Sequence, residues 1–279
     1  MAIDLSTVGH SVEPHSKSYD WRDVSLYAQA LGAGTGDLKY VLDPSPQVLP
    51  TWGVIPAFEP VFDAMRATGG DLVQLLHTAQ RTELVRPFPA AGEMKTRARI
   101  RGIWDMKIGA ICFLDTETEV DSELACRTSW QLLVRGAGGF GGERPPGSLR
   151  TKPPRGAEPD FEVEVETSAD QALLYRLTGD VNPIHSHPEV AAQAGFDRPI
   201  LHGLCTYGIA GRVALKALAG DEPARFKALE TRFNKVVMPG DTLVVRGYKL
   251  EAAGQAAVTV TVKASGDVAI ANGLFEYAP

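Results

Sequence analysis

Two side chains that can transfer protons, Asp180 and His185, lie within six residues of one another, with the amide of Asn182 between them. Gly179 and Pro183 interrupt regular structure here, so the segment is predicted to be a loop. A carboxylate and an imidazole this close can share one water molecule, because the imidazole titrates near neutral pH and the carboxylate can orient the water and return a proton. The spacing therefore predicts an acid–base pair that acts on a bound water.

A glycine 23 residues after Asp180 adds a candidate hydrogen-bond donor. Gly203 stands at the predicted N-terminus of the longest helix candidate, residues 203–219. The first N–H groups of a helix are unpaired, and the helix dipole at that end favours negative charge. A glycine also lets a carbonyl oxygen come close. Together with the acid–base pair, this donor predicts addition of water to a carbonyl-activated double bond, or elimination of water to form one.

The surrounding sequence predicts the elements that must position these residues. Residues 161–166 alternate with period two, as a half-buried strand does. Ser168 and Gln171 form a capping box that opens a short helix, and Pro188 begins another. One long helix followed by antiparallel strands that can wrap it indicates an α+β architecture. The four strand-like segments after the helix are 231–237, 242–251, 256–264 and 268–277.

A glycine- and proline-rich stretch divides the chain. Residues 136–159 contain seven glycines and five prolines, which cannot propagate a helix or a central strand. We predict an N-terminal unit at 1–143, a linker at 144–159 and a C-terminal unit at 160–279. Glycine-centred motifs recur at similar offsets in the two units, which indicates a duplicated fold. The matched glycines are Gly32 with Gly179, Gly53 with Gly203, and Gly92 with Gly240.

Composition narrows the class of protein. The chain has 279 residues, 44% of them apolar and 22% charged, as in a globular protein. A net charge of −6 argues against a nucleic-acid partner, because phosphate binding needs a basic face. No apolar run approaches the ~20 residues that span a bilayer, and no secretory signal or peroxisomal address is seen. Three sparse cysteines suit a reducing compartment, so we expect a cytoplasmic protein without a membrane partner.

The loop motif resembles a known family. Residues 175–185, with the core Gly-Asp-Val-Asn-Pro-Ile-His, resemble the hydratase-2 motif of the MaoC-like (R)-specific enoyl-CoA hydratases. Residues 199–208 and 237–243 are also similar to segments of this family. The N-terminal unit resembles the degenerate first repeat of eukaryotic-type hydratase 2, as in the hydratase part of peroxisomal multifunctional enzyme type 2. The segments that carry this second resemblance are 49–55, 83–89 and 136–142.

The resemblance implies a double hotdog fold of class α+β, with two long helices that are each wrapped by an antiparallel sheet. It implies an enzyme of fatty-acid metabolism that hydrates trans-2-enoyl-CoA to (3R)-3-hydroxyacyl-CoA, or dehydrates it in reverse. An acyl-CoA thioester is then the substrate, coenzyme A is part of that substrate, and neither a separate cofactor nor a metal is expected. A homodimer is also expected.

Site residues follow from the same resemblance. It implies that Asp180 and His185 activate the water, that Asn182 helps to position them, and that the Gly203 N–H holds the thioester oxygen. Ala33 stands where the repeat would place a second aspartate, so one active site per chain is expected, with the first unit accommodating the acyl chain. The implied substrate-binding residues are Asp43, His77, Thr78, Lys107 and Phe233.

Other interpretations remain open at this point. His185, His187 and His202 could indicate a metal site, although no Cys or Glu-x-x-His pattern supports zinc. A hotdog acyl-CoA thioesterase would not need Asn182 and His185 in one loop. A non-catalytic acyl-binding subunit of a dehydratase would have no use for the intact set of Asp180, Asn182 and His185.

Overall fold

The computed structural model describes residues 3–42, 44–147 and 151–279. Asp43, one of the predicted substrate contacts, lies outside the described residues, as does part of the predicted linker, 148–150. The strands form one ten-stranded sheet in the order β1-β3-β4-β5-β2-β7-β10-β9-β8-β6, and every neighbouring pair is antiparallel. The predicted α+β double hotdog is confirmed. Within the described part of the chain, no helix has the length and apolar character needed to cross a membrane.

The two units contribute similar sets of elements. The first contains β1 (His15–Tyr19), α1 (Trp21–Ala30), α2 (Phe58–Ala67), β2 (Leu75–Leu84), β3 (Gly92–Asp105), β4 (Gly109–Val120) and β5 (Glu123–Arg135). The second contains β6 (Phe161–Glu166), α3 (Gln171–Tyr175), α4 (Pro188–Gln193), α5 (Gly203–Leu218), β7 (Phe226–Phe233), β8 (Thr242–Lys249), β9 (Gln255–Val262) and β10 (Val268–Tyr277).

The long helix of the second unit is as predicted, but its counterpart in the first unit is shorter. Helix α5 has 16 residues and is largely buried. In the first unit a 3-10 turn, Pro50–Val54, is followed by α2 with only ten residues. Pro56 stands between them, and because proline has no N–H it cannot donate the hydrogen bond that would continue a helix through this position. This break makes α2 shorter than α5.

One predicted strand was displaced. Strand β7 runs from Phe226 to Phe233, whereas the sequence placed it at 231–237. The strand begins earlier than predicted because its apolar residues Phe226, Ala228 and Leu229 are buried in the core. The shift matters because β7 ends at Phe233, and the residues after it are released into a loop.

The two units share one sheet and one core. Strands β2 and β7 pair at the middle of the sheet, with Ala79–Glu83 opposite Ala228–Arg232. Helix α5 approaches the first unit closely because Gly208 and Gly211 have no side chains: a Cβ atom at Gly208 would lie 2.6 Å from Leu31. Strand β6 lies at the far edge of the sheet beside β8, so the chain between β5 and β6 has to pass from one unit to the outer edge of the other. The predicted unit boundaries themselves stay a prediction.

Candidate active site

A cavity of about 420 Å³ opens where the two units meet. Its first-unit wall comes from α2 and from the start of β2, and its second-unit wall comes from the 180–185 loop, the N-terminus of α5 and the end of β7. Most of the lining is apolar, with a few polar groups that converge on one end. This composition is typical of a small-molecule site.

Seven of the nine residues predicted to form the site line this cavity: Asp180, Asn182, His185, Gly203, His77, Thr78 and Phe233. Lys107 does not line it. It lies at the tip of the turn between β3 and β4, exposed and with a φ of 66°, two residues before Gly109 pairs with Arg135. Arg135, which the sequence did not single out, lines the cavity instead.

The loop that carries Asp180, Asn182 and His185 is built by its own side chains. The Asn182 N–H donates to Asp180 Oδ1 over 3.2 Å, and the Ile184 N–H donates to Asn182 Oδ1 over 3.2 Å. The second bond caps the 3-10 turn Pro183–His185. Gly179 enters the loop with a φ of 137°, a conformation that favours glycine. The spacing of the motif therefore encodes its local geometry as well as its chemistry.

His185 is held as a neutral base. Its Nδ1 lies 2.9 Å from the carbonyl oxygen of Ile200, so the proton sits on Nδ1 and the lone pair sits on Nε2. Burial lowers the pKa of His185 to about 4, and the hydrogen bond to Ile200 only partly offsets this effect. The imidazole is thus uncharged at neutral pH, and its second nitrogen is able to accept a proton.

Asp180 is shifted in the opposite direction. Only 8% of the residue is exposed. Burial raises the pKa of its carboxyl group to about 7, although the hydrogen bond from Asn182 acts to lower it. At neutral pH the group is therefore divided between acid and carboxylate. A ligand atom of Asp180 and one of His185 lie within 4.8 Å of each other. Two titratable groups with pKa values displaced in opposite directions form a candidate acid–base pair.

Gly203 begins α5 and lines the cavity opposite the loop. As the first helical residue, it has no partner for its N–H inside the helix. The ring of Phe233 lies beside it, 3.4 Å from the position that a Cβ atom would take. An oxygen that reaches this end of the cavity meets an N–H donor at the positive end of the helix dipole.

His77 and Thr78 line the cavity but have structural contacts of their own. The His77 ring stacks on Trp130, with centroids 4.8 Å apart, and its Nε2 lies 3.0 Å from the Ala79 carbonyl oxygen. The Thr78 hydroxyl donates to the Gln131 carbonyl over 2.9 Å. Both contacts lie at the irregularity where β2 shifts register between His77 and Ala79. Their predicted role in substrate binding stays a prediction.

His202 is the residue whose place in the site the sequence reasoning missed. It is fully buried beside the candidate acid–base pair, and its ring stacks on that of His185 with centroids 3.8 Å and planes 28° apart. Its position immediately before Gly203 is the sequence feature that could have placed it in the site. A ligand atom of His202 falls within 4.8 Å of those of Asp180 and His185, which groups them as a possible metal set. Stacked imidazoles direct their lone pairs side by side within the ring planes, however, so this arrangement fits a shared ion poorly.

The corresponding loop of the first unit has no acid at the position of Asp180 and is held by contacts with α5. Gly32 has a φ of 80°, and Ala33 is buried where the second unit has Asp180. Arg212 of α5 reaches this loop: its guanidinium donates to the Leu31 carbonyl over 3.1 Å and to the Asp37 carboxylate over 3.0 Å. A mostly buried ion pair therefore holds the loop in which Ala33 takes the position of the acid.

Comparison with known protein families covers both units. Residues 150–270 match the model of the MaoC like domain, and residues 18–136 match that of the MFE-2 hydratase 2 N-terminal domain. The chain is 42% identical to 3-hydroxyacyl-thioester dehydratase Y of Mycobacterium tuberculosis, over 87% of this chain and 86% of the relative. It is 36% identical to the probable enoyl-CoA hydratase 2 of Dictyostelium discoideum, over 90% of this chain and 88% of the relative.

A solved structure shows the same arrangement of elements. The crystal structure of a MaoC-like dehydratase from Phytophthora capsici superposes with a TM-score of 0.88 at 29% identity, covering 99% of both chains. Each family model covers one unit, and the similarity to the relatives and to the solved structure extends over both units. The chain therefore belongs to the MaoC-like hydratase 2 family.

Proposed function

We propose that this chain is an (R)-specific 2-enoyl-CoA hydratase, a hydro-lyase that adds water to trans-2-enoyl-CoA and forms (3R)-3-hydroxyacyl-CoA. The observation that carries the proposal is the pair of buried Asp180 and half-buried His185, whose pKa values are shifted in opposite directions, in a cavity that the start of α5 at Gly203 also lines. The names of the relatives, a hydratase and a dehydratase of acyl thioesters, support the same reaction in its two directions.

The chemistry follows from the positions of these groups. A water held between Asp180 and His185 loses a proton to His185 Nε2 while its oxygen forms a bond to C3 of the enoyl group. The electron pair of the C2–C3 double bond moves toward the thioester oxygen, which the Gly203 N–H stabilises. The protonated Asp180 then delivers a proton to C2, and the proton on His185 returns to Asp180. The reverse sequence of steps eliminates water.

The cavity fits a thioester with an apolar chain and an anionic carrier. Phe58 and Phe62 of α2 stack with centroids 4.5 Å apart and line its first-unit wall, where the acyl chain would lie. Arg135 and Lys235 line the same cavity and are suited to the phosphates of coenzyme A. Coenzyme A enters as part of the substrate, and the proposed mechanism uses neither a separate cofactor nor a metal.

The handedness of the product provides the sharpest test. Because Asp180 and His185 belong to one loop and Gly203 fixes the thioester oxygen, water and proton reach one face of the alkene, and the family assigns that face to the 3R alcohol. Crotonyl-CoA is incubated with the protein while the loss of enoyl absorbance is followed, and the product is coupled separately to 3R- and 3S-specific hydroxyacyl-CoA dehydrogenases. Signal with the 3R enzyme is expected, and signal with the 3S enzyme alone would overturn the proposal.

The same experiment separates the alternatives. A thioesterase would release free coenzyme A, which a thiol reagent detects, and it would form no hydroxyacyl-CoA. A non-catalytic acyl-binding subunit would bind crotonyl-CoA and leave both absorbance and thiol unchanged. Either result would contradict hydration.

We also propose a homodimer in the cytoplasm. Cys112, Cys126 and Cys205 are all buried and free, as suits a reducing compartment. Some relatives carry names that place them in peroxisomes. Fractionation of the source cells therefore tests whether this protein is found in the cytoplasm or in peroxisomes.

A further inference from the structure

His202 contacts both members of the catalytic pair. Its Nε2 lies 3.1 Å from the backbone carbonyl oxygen of Asp180, so the Nε2–H donates to that carbonyl. Its ring covers one face of the His185 imidazole at a centroid distance of 3.8 Å. It is also the N-cap residue of α5, immediately before Gly203. One residue therefore contacts the acid and the base through its side chain and precedes the helix through its backbone.

We propose that His202 is a positioning residue that ties the Asp180 backbone and the His185 ring into one rigid unit. The proposal rests on the hydratase function proposed above, and it assigns His202 no contact with substrate.

The hydrogen-bonding pattern of His202 argues for a purpose beyond filling space. The residue is fully buried, and its Nδ1 has no hydrogen-bond partner among the residues that the structure describes. Leaving a buried polar atom unpaired costs about 1–3 kcal/mol. An aromatic side chain without nitrogen atoms, such as that of phenylalanine, would leave no polar atom unpaired. What the imidazole adds is the Nε2–H bond to the Asp180 carbonyl.

His202 stays neutral next to the pair. The charged or titratable groups around it are Asp180, His185, Tyr175, whose ring centroid is 4.9 Å away, and Arg176. Burial, with further contributions from His185 and Arg176, lowers the pKa of His202 to about 2. An uncharged ring can stack on His185 without electrostatic repulsion, and it does not draw the proton away from Asp180.

Two substitutions separate the contacts. His202→Phe keeps an aromatic ring against His185 and removes the bond to Asp180. His202→Gln can still donate to the Asp180 carbonyl but removes the stacked ring. Displacing a reacting group by about 1 Å costs on the order of 10²-fold in rate. We therefore expect His202→Phe to lower kcat for crotonyl-CoA by about that factor with KM nearly unchanged, and His202→Gln to recover part of the loss.

Cys205→Ala is the matched control. Cys205 lies in the same turn of α5 and is fully buried, but its Sγ faces the Ala30 carbonyl of the first unit at 3.5 Å and does not touch the pair. We expect this variant to lower the melting temperature while kcat stays near that of the wild type. A general loss of packing at this turn would instead lower kcat in Cys205→Ala as well.

Histidine ¹⁵N NMR gives a readout that does not depend on activity. In the wild type, His185 should carry its proton on Nδ1 and His202 on Nε2 near neutral pH, with His185 assigned from the spectrum of His185→Gln. In His202→Phe, the His185 titration and tautomer should shift. A wild type in which His202 carries its proton on Nδ1 would overturn the proposal, as would a folded His202→Phe with unchanged kcat and unchanged His185 signals. If the proposed hydratase function is wrong, the wild type itself will not turn over crotonyl-CoA, and this result is distinct from those that test His202.

Discussion

At the scale of single residues, one physical cause produces two opposite chemical roles. Burial disfavours whichever form of a group is charged, so it raises the pKa of Asp180 to about 7 and lowers that of His185 to about 4. The result at neutral pH is an uncharged base beside a carboxyl group that is uncharged in part of the molecules. Such a pair can pass a proton in either direction, which is what hydration and dehydration both require.

Replacing either member with an uncharged amide side chain, as in Asp180→Asn or His185→Gln, should separate activity from folding. Asp180→Asn and His185→Gln keep much of the local hydrogen bonding, so we expect both variants to fold cooperatively, with kcat lowered by at least about 10²-fold. The double variant should lose little more than either single variant, because both groups act on one water. Crotonyl-CoA hydration and circular dichroism provide the two measurements. Near-native turnover in a folded single variant would remove that residue from the mechanism.

Asp180→Asn should also change how stability depends on pH. Between the ordinary pKa of 3.8 and the folded value of about 7, the folded protein binds more protons at this site than the unfolded chain, so the free energy of unfolding falls as pH rises. The shift corresponds to at most about 4 kcal/mol. Asparagine has no charge to bury, so the variant should melt higher than the wild type at pH 8 and close to it at pH 4.

The contribution of His185 to this comparison cancels, because both proteins contain it. Its lowered pKa acts in the other direction, since stability is lost as pH falls from 6.5 toward about 4. Melting temperatures measured from pH 4 to pH 8 test the prediction. A difference between variant and wild type that does not grow over this range would contradict a raised pKa at Asp180.

At the scale of elements, the glycines of α5 have different tasks. Gly208 and Gly211 let the helix pack on Leu31 and Thr51, where an added Cβ would lie 2.6 Å from the neighbouring side chain in each case. Gly203 lines the cavity, where an added Cβ would meet the Phe233 ring at the ordinary distance of 3.4 Å. The same substitution should therefore have different consequences at the start and in the middle of one helix.

Gly203→Ala should fold normally and lose activity. Its methyl group fits beside Phe233 but stands where the thioester oxygen must approach the N–H, so we expect kcat/KM to fall by about 10²-fold. Gly208→Ala is the comparison: its methyl group overpacks the buried Leu31 and should destabilise the protein by about 1–3 kcal/mol, with a smaller effect on turnover. If Gly203→Ala kept full activity, its N–H would not be the donor.

At the scale of the whole molecule, duplication has produced an asymmetric protein. The second unit keeps a 16-residue helix and the acid–base loop, whereas the first unit has a helix interrupted at Pro56, and Ala33 in place of the acid. The interrupted helix forms one wall of the cavity. This asymmetry supports the prediction that the second unit supplies the chemistry and the first accommodates the substrate.

We expect a homodimer of about twice the 30.0 kDa chain mass. The pairing of hotdog sheets is already satisfied within the chain by β2 and β7, and the edge strand β6 carries Glu162, Glu164 and Glu166, which discourage pairing with another strand. A second copy should therefore associate through a face of the molecule and not through this edge. Light scattering at micromolar concentration tests the state, and a mass of 30.0 kDa would refute it.

The sequence by itself determined the local parts of the site. The order Asp180, Asn182 and His185 contains its own turn, because each of the first two side chains accepts a hydrogen bond from a backbone N–H two residues later. Local signals of this kind also predicted the start of α5 at Gly203 and the strand at 268–277. These features depend on residues that are neighbours along the chain.

Only the tertiary structure decided what surrounds them. Burial sets the pKa values of Asp180 and His185, and it comes from elements far away in the sequence. The stacking of His202 on His185 and the presence of Arg135 in the cavity depend on how the helix and the strands pack. A sequence pattern shows which groups can exchange protons. The energy of each protonation state depends on the amount of water that the folded chain excludes, which is a property of the whole molecule.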